Sequence, residues 1–337
     1  VADFDTLTHE QQLPLLLELA VSATSLYDLP SDLQITLINL SENATYKLQA
    51  PDGRRWALRI HRDGYHSRAA IASELAWLMA LRQGGVVMTP QPLKGRDGEI
   101  LQHMGHARMP RPRNVVLFAW EQGTEPAITE DLSAPFEVLG EVAARMHLHS
   151  MGWQRPAWFT RHTWDFETSL GEENPHWGRW REGIAVDGER RALFGRTVQL
   201  IGKRLACYGK APHRFGLVHA DIRLANLLID GATVKVLDFD DSGFSWHMYD
   251  AATTVSFHEH EPQVPALIES WKKGYRRVRP LPKEDEAEIP TFIMLRRLLL
   301  VAWIGSHSQT DLARAMGVPY TEGTVALCED YLRRFGG

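Results

Sequence analysis

Apolar and polar positions alternate in three short stretches near the start of the chain, which predicts three β-strands. They are Ile35-Thr36-Leu37-Ile38, Ala44-Thr45-Tyr46-Lys47-Leu48 and Trp56-Ala57-Leu58-Arg59-Ile60. Asn39 to Asn43 links the first pair, and Pro51-Asp52-Gly53 makes a turn between the second pair. A helical period precedes them over 13–27 and stops at Leu29-Pro30-Ser31. Another follows over 68–82, where Ile71, Glu74, Leu75, Leu78 and Leu81 share one stripe, and 115–120 reads as a further strand. Beyond Glu121-Gln122-Gly123-Thr124-Glu125-Pro126 the period is mostly helical, over 136–150, 264–277 and 284–304. Two apolar runs interrupt it, Phe215-Gly216-Leu217-Val218 and Val234-Lys235-Val236-Leu237, expected to pair as strands with Asp230-Gly231 at their turn. The pattern predicts an α+β chain: a small β-rich lobe over 1–120, a hinge at 121–126 and a larger, mainly helical lobe over 127–337.

Composition narrows the function classes. The 337 residues are 44% hydrophobic and 23% charged, enough for two substantial cores. A net charge of -5 supplies no basic field for a phosphate backbone or an acidic bilayer, so neither nucleic acid nor membrane is expected as a partner. Two cysteines, Cys207 and Cys328, cannot make a disulfide framework and fit a reducing compartment. Asp3, Asp5 and Glu10 precede a broken Leu13 to Leu19 run, unlike a signal peptide, and a cytoplasmic setting is expected.

The chemistry concentrates after residue 217. Asp221 follows the first apolar run within His219-Ala220-Asp221-Ile222-Arg223-Leu224-Ala225-Asn226, and Asp238 ends the second. That order suits metal-assisted phosphoryl transfer: Asp221 orients and deprotonates an attacking hydroxyl, while Asn226 and Asp238 give oxygen ligands to a hard cation. Turn capping also places Asp after strands, but it requires neither the Asn nor the order.

These residues resemble the aminoglycoside phosphotransferase and choline kinase superfamily, small-molecule relatives of the protein kinases. His219-x-Asp221-x-x-x-x-Asn226 fits its catalytic loop, Leu237-Asp238-Phe239-Asp240-Asp241 its metal strand, and Tyr249-Asp250-Ala251-Ala252 the helix start beyond. The resemblance implies a bilobal, protein-kinase-like fold that uses ATP and Mg2+ to phosphorylate a hydroxyl of a small molecule such as an aminoglycoside, choline or homoserine. A bacterial Ser/Thr kinase of the same fold and a silent nucleotide-binding protein are the alternatives.

In the small lobe, Ser41 and Asn43 within Leu40 to Thr45 are the expected phosphate grip, a plain hairpin turn being the other reading. Arg59 stands where the resembling kinases usually carry lysine. Glu74, a carboxylate on an apolar stripe, is its expected partner, unless it reaches water at the stripe edge. His219 and Asp250 read as supports, His219 bonded to backbone and Asp250 bracing the loop or capping the next helix. Arg223 is expected to offset phosphoryl charge or pair with a carboxylate. Asp240 and Asp241 attract a cationic substrate, approach the metal or cap a turn. Trp153, Trp158, Trp164, Trp177 and Trp180 suggest a folded cap in which Trp164 and Trp177 wall the acceptor or simply pack helices. Walker, Gly-x-Ser-x-Gly, Gly-x-Gly-x-x-Gly and His-Glu-x-x-His patterns do not occur, which removes P-loop, serine hydrolase, dinucleotide and zincin readings.

Overall fold

The computed structural model describes residues 7, 9–40, 43–126 and 131–336. It divides into two compact units, Val1–Gln83 with Thr89–Gln122 and Pro156–Thr160, and Gly84–Met88 with Gly123–Arg155 and Arg161–Gly337.

The first unit opens with α1 (His9–Ala23), followed by β1 (Gln34–Leu40), β2 (Asn43–Gln49), β3 (Arg55–His61) and α2 (Arg68–Gln83). Three more strands, β4 (Pro92–Leu93), β5 (Gln102–Met104) and β6 (Arg113–Ala119), complete an antiparallel sheet of order β1-β2-β3-β6-β4, with β5 also on β6. Strand alternation decides which side chains meet α1: Ala44, Tyr46, Leu48, Leu58, Ile60, Val115 and Leu117 bury against Leu15, Leu16 and Leu19. Thr45, paired with Arg59, lies on the other side, as does Lys47 two residues along. There α2 buries Ile71, Glu74, Leu75, Leu78 and Leu81, the stripe expected from the sequence.

The second unit holds α3 (Ser133–Gly152), α4 (Phe166–Leu170), α5 (Gly188–Tyr208), β7 (Phe215–Val218), β8 (Leu227–Asp230), β9 (Thr233–Val236) and β10 (Gly243–Trp246). It continues through α6 (His247–Thr253), α7 (Val264–Val278), α8 (Lys283–Ser306) and α9 (Asp311–Phe335). α8 is long and apolar enough to cross a bilayer by length and composition, yet most of that stretch is buried within the protein. Its Phe292, Leu295, Leu298, Leu299 and Val301 belong to the core.

One expected pairing is wrong. The run at 234–237 pairs with β8, not with β7, and β7 pairs antiparallel with β10. Gly231 at φ 60 closes β8 on β9 in a two-residue turn, so the nearer partner wins the short loop. The tryptophan-rich segment is folded, but Trp164, Trp177 and Trp180 are interior side chains and Trp158 is exposed.

Candidate active site

β7 ends at Val218 and the chain turns through Ala220 in a left-handed conformation, φ 67, that a residue with a Cβ rarely adopts. Asp250 near the start of α6 holds this turn. Its Oδ1 accepts from the Ala220 amide at 2.8 Å and its Oδ2 from the His219 amide at 3.2 Å. Thr253 Oγ1, one turn later, accepts from Ile222 N at 3.1 Å. Asp250 is therefore a brace under the loop. Burial pushes its carboxyl up to about 6, with the loop amides and His219 pulling the other way, so it is ionised at neutral pH.

His219 links the loop to the strand leading to Asp238. Its Nε2 lies 3.0 Å from Leu237 O and its Nδ1 3.2 Å from the Asp221 amide, which fixes the proton on Nε2. Burial lowers its pKa and keeps the ring neutral. His147 Nε2 donates to Asp250 Oδ2 at 2.9 Å while Tyr275 OH sits 3.0 Å from Nδ1. Burial also lowers His147 well below the usual range, so this contact is a hydrogen bond from a neutral ring to the carboxylate and not an ion pair.

Asp221 projects from the turn, nearly buried. Asn226 Nδ2 donates to its Oδ2 at 2.6 Å and to its carbonyl at 2.9 Å. Arg223 Nε reaches the same Oδ2 at 3.2 Å, and Arg296 Nη2 from α8 pairs with Oδ1. Burial alone would raise the Asp221 pKa, but Arg223 and Arg296 outweigh it and hold the carboxyl below its ordinary value. With Nδ2 spent on Asp221, the oxygen of Asn226 is its remaining ligand atom. Leu237 N donates to Asn226 O at 2.8 Å, which puts Asp238 immediately beyond that loop, half-buried and left-handed at φ 54.

The segment after Asp238 is pinned by 161–164. Arg161 donates through Nε to Ser242 O and through Nη2 to Asp240 O, and Trp164 Nε1 donates to Asp241 O at 2.7 Å. Trp164 also stacks obliquely on Trp177, ring centroids 4.9 Å apart, and Arg296 lies over Trp177 at 5.1 Å. Trp164 and Trp177 thus support the loop and the segment after Asp238 from inside, both of them buried.

Within the first unit, Arg59 Nη1 meets Glu74 Oε1 at 2.9 Å, the two side chains 12% and 1% exposed. The guanidinium also lies over Phe118, 5.4 Å from the ring centroid. Asn43 Oδ1 accepts from Arg62 N at 3.2 Å, a tie between β2 and the end of β3. Ser41 lies outside the described residues. Sequence reasoning missed Arg296, Tyr249 and Thr253; the sole signal was a pair of arginines, Arg296 and Arg297, inside an apolar helical run.

The family model described as phosphotransferase enzyme family matches residues 34–281. A solved structure described as a microcompartment-associated aminopropanol kinase is 43% identical, covers 95% of this chain and 98% of its own, and superposes with a TM-score of 0.87. An amicoumacin kinase in complex with AMP-PNP, Ca2+ and Ami shares the fold at 20% identity, TM-score 0.77, covering 97% and 96%. The amicoumacin kinase of Bacillus subtilis (strain 168) is 25% identical over 325 residues, 92% of this chain and 88% of its own.

Proposed function

This chain belongs to the phosphotransferase enzyme family as a kinase, and we propose that it moves the γ-phosphoryl group of ATP to the hydroxyl of a small amino alcohol. The observation that carries the reading is Asp221, an ionised carboxylate at the tip of a braced loop, with Asn226 and the Asp238 strand beside it. The acceptor hydroxyl gives its proton to Asp221 as its oxygen bonds to the γ-phosphorus, the β–γ bridging bond breaks and ADP leaves.

A divalent cation fits the donors. Asn226 and Asp238 offer two hard oxygens, and no cage of three His, Cys, Asp or Glu occurs among the described residues. That donor set suits Mg2+, which keeps waters and takes substrate phosphates. When bound, the ion neutralises phosphate charge. Arg59, set by Glu74, is assigned to the nucleotide phosphates, with Ser41 and Asn43 as accompanying donors. Arg223 is a quarter exposed and can turn from Asp221 to the transferring group.

The amino alcohol is supported by 43% identity, across nearly the whole of both chains, to a kinase described for aminopropanol. The acidic run Asp238, Asp240 and Asp241 also favours a cation nearby. A cytoplasmic setting accompanies this use of ATP. The test is ATP turnover across aminopropanol, ethanolamine, choline, homoserine, aminoglycosides and a generic protein substrate. O-phosphorylation of aminopropanol at the highest kcat/KM is expected; transfer to the protein alone overturns the reading.

A further inference from the structure

Both oxygens of Asp221 carry arginine, and the two arginines differ in freedom. Arg223 comes from the loop itself and its side chain is 25% exposed, whereas Arg296 comes from α8 and is 2% exposed. Arg296 is fastened along its whole length: Nε donates to Ser256 Oγ at 3.0 Å, Nη1 to Tyr249 OH at 3.2 Å, and the guanidinium covers Trp177. Nη1 also lies 3.5 Å from Ala220 O, on the left-handed residue just before Asp221. A guanidinium so deeply buried cannot release its anion without leaving its own charge uncompensated in the interior, whereas the part-exposed Arg223 can turn to water. An approaching hydroxyl therefore displaces Arg223 and never Arg296.

We propose that Arg296 is a positioning residue for phosphoryl transfer: it holds Oδ1 of Asp221 and the backbone before it, so that Oδ2 alone faces the acceptor hydroxyl. The inference rests on the reading of Asp221 as the base. It assigns α8, which lies outside every motif, a direct part in setting the attack geometry. Each contact to Arg296 removes a freedom of the loop: Tyr249 and Ser256 fix the fork, the fork fixes one carboxylate oxygen, and the carboxylate plane then follows. Asn226 completes the arrangement from the opposite side, at 2.6 Å on Oδ2. A misplacement of about 1 Å at such a site costs on the order of 100-fold in rate without weakening binding.

The neighbouring residue supplies the control. Arg297 is as buried as Arg296, yet it turns away to Glu259 at 2.7 Å, Thr324 Oγ1 at 2.8 Å and Tyr320 O at 2.7 Å. Arg296→Lys and Arg297→Lys each keep a charge and remove a buried fork, so their structural costs are alike. Steady-state kinetics with Mg-ATP and aminopropanol, alongside thermal melting and nucleotide calorimetry, separates them. Arg296→Lys is expected to lower kcat by about 100-fold with both KM values within about threefold. Arg297→Lys should lower the melting temperature and leave kcat nearly unchanged. If Arg296→Lys does not fold, Tyr249→Phe, which removes one hydroxyl from the same guanidinium, should still cut kcat several-fold at constant KM. Equal kcat values in the two lysine variants, or a normal kcat in Tyr249→Phe when Arg296→Lys is unfolded, overturn the proposal. Asp221→Asn distinguishes the underlying reading: near-normal turnover there removes the base, whereas a dead Asp221→Asn beside a normal Arg296→Lys removes only the role of Arg296.

Discussion

Ala220 and Asp238 adopt left-handed backbone at φ 67 and 54, a state costing roughly 1–3 kcal/mol each for a residue with a side chain. At Ala220 the cost is met by Asp250, which takes two successive loop amides, and Asp250 in turn is held by neutral His147. This dependence on neutral imidazole sets a pH limit. Burial depresses His147 and His219 below 6.5 and takes His247 to about 2, so each binds a proton more readily in the unfolded chain. Their contribution is complete above pH 6.5 and is lost as the pH falls below it, at about 1.4 kcal/mol per pH unit for each ring that stays neutral. Asp250, raised to about 6, opposes the trend below that pH, but it is one group against three. Urea unfolding at pH 7, 6 and 5.5 should show falling stability, and a flat or rising profile contradicts the assignment of neutral rings. Asp221, Asn226, Asp238 and Glu74 could be singled out in the sequence because each sits at a fixed offset from a strand end or on a helix stripe. Arg296 was not, since a charge in an apolar helical run looks the same whether it meets water or a carboxylate from a distant loop.

At the level of elements, α3 and α7 meet backbone to backbone. A Cβ at Gly274 would lie 1.7 Å from Glu137 O, and one at Gly140 2.0 Å from Trp271 O. The same crossing brings His147 to Tyr275. Gly274→Ala must therefore push the helices apart, costing about 1–3 kcal/mol or more and loosening the support of the loop. Calorimetric unfolding of Gly274→Ala against Gly188→Ala, where a Cβ meets nothing, checks this; equal melting temperatures would contradict it. In the first unit Arg59 and Glu74 tie β3 to α2. Arg59→Ala and Glu74→Ala should be less than additive in kcat/KM for ATP, with coupling of about 0.5–3 kcal/mol. Strictly additive losses separate the two roles. Strands β1, β2 and β3 could be read because alternation over four or five residues marks a half-buried face, whereas β4 and β5 are too short to carry it. The partner of β7 could not: four mostly apolar residues carry no register, and β10 lay in a stretch read only for its carboxylates.

Across the whole molecule, an antiparallel β unit with a buried arginine–glutamate pair and a helical unit with a braced carboxylate form the fold shared with the family's solved structures. The change from a β-rich to a helical pattern made this architecture legible, and the Asp221–Asp238 order made the chemistry legible. The acceptor was not, because Trp164, Trp177 and Trp180 turn inward and the residues around a small substrate follow no spacing rule. The central claim is proton transfer to Asp221 during phosphorylation of a small hydroxyl. The most direct measurement is 31P NMR of ATP and aminopropanol incubated with Mg2+ and either the wild-type chain or Asp221→Asn, with calorimetry of Mg-ATP binding to both. Wild type should build an O-phosphorylated amino alcohol and ADP, while Asp221→Asn should slow that by about 100-fold or more with nucleotide affinity preserved. Normal product formation by a folded Asp221→Asn would contradict the account.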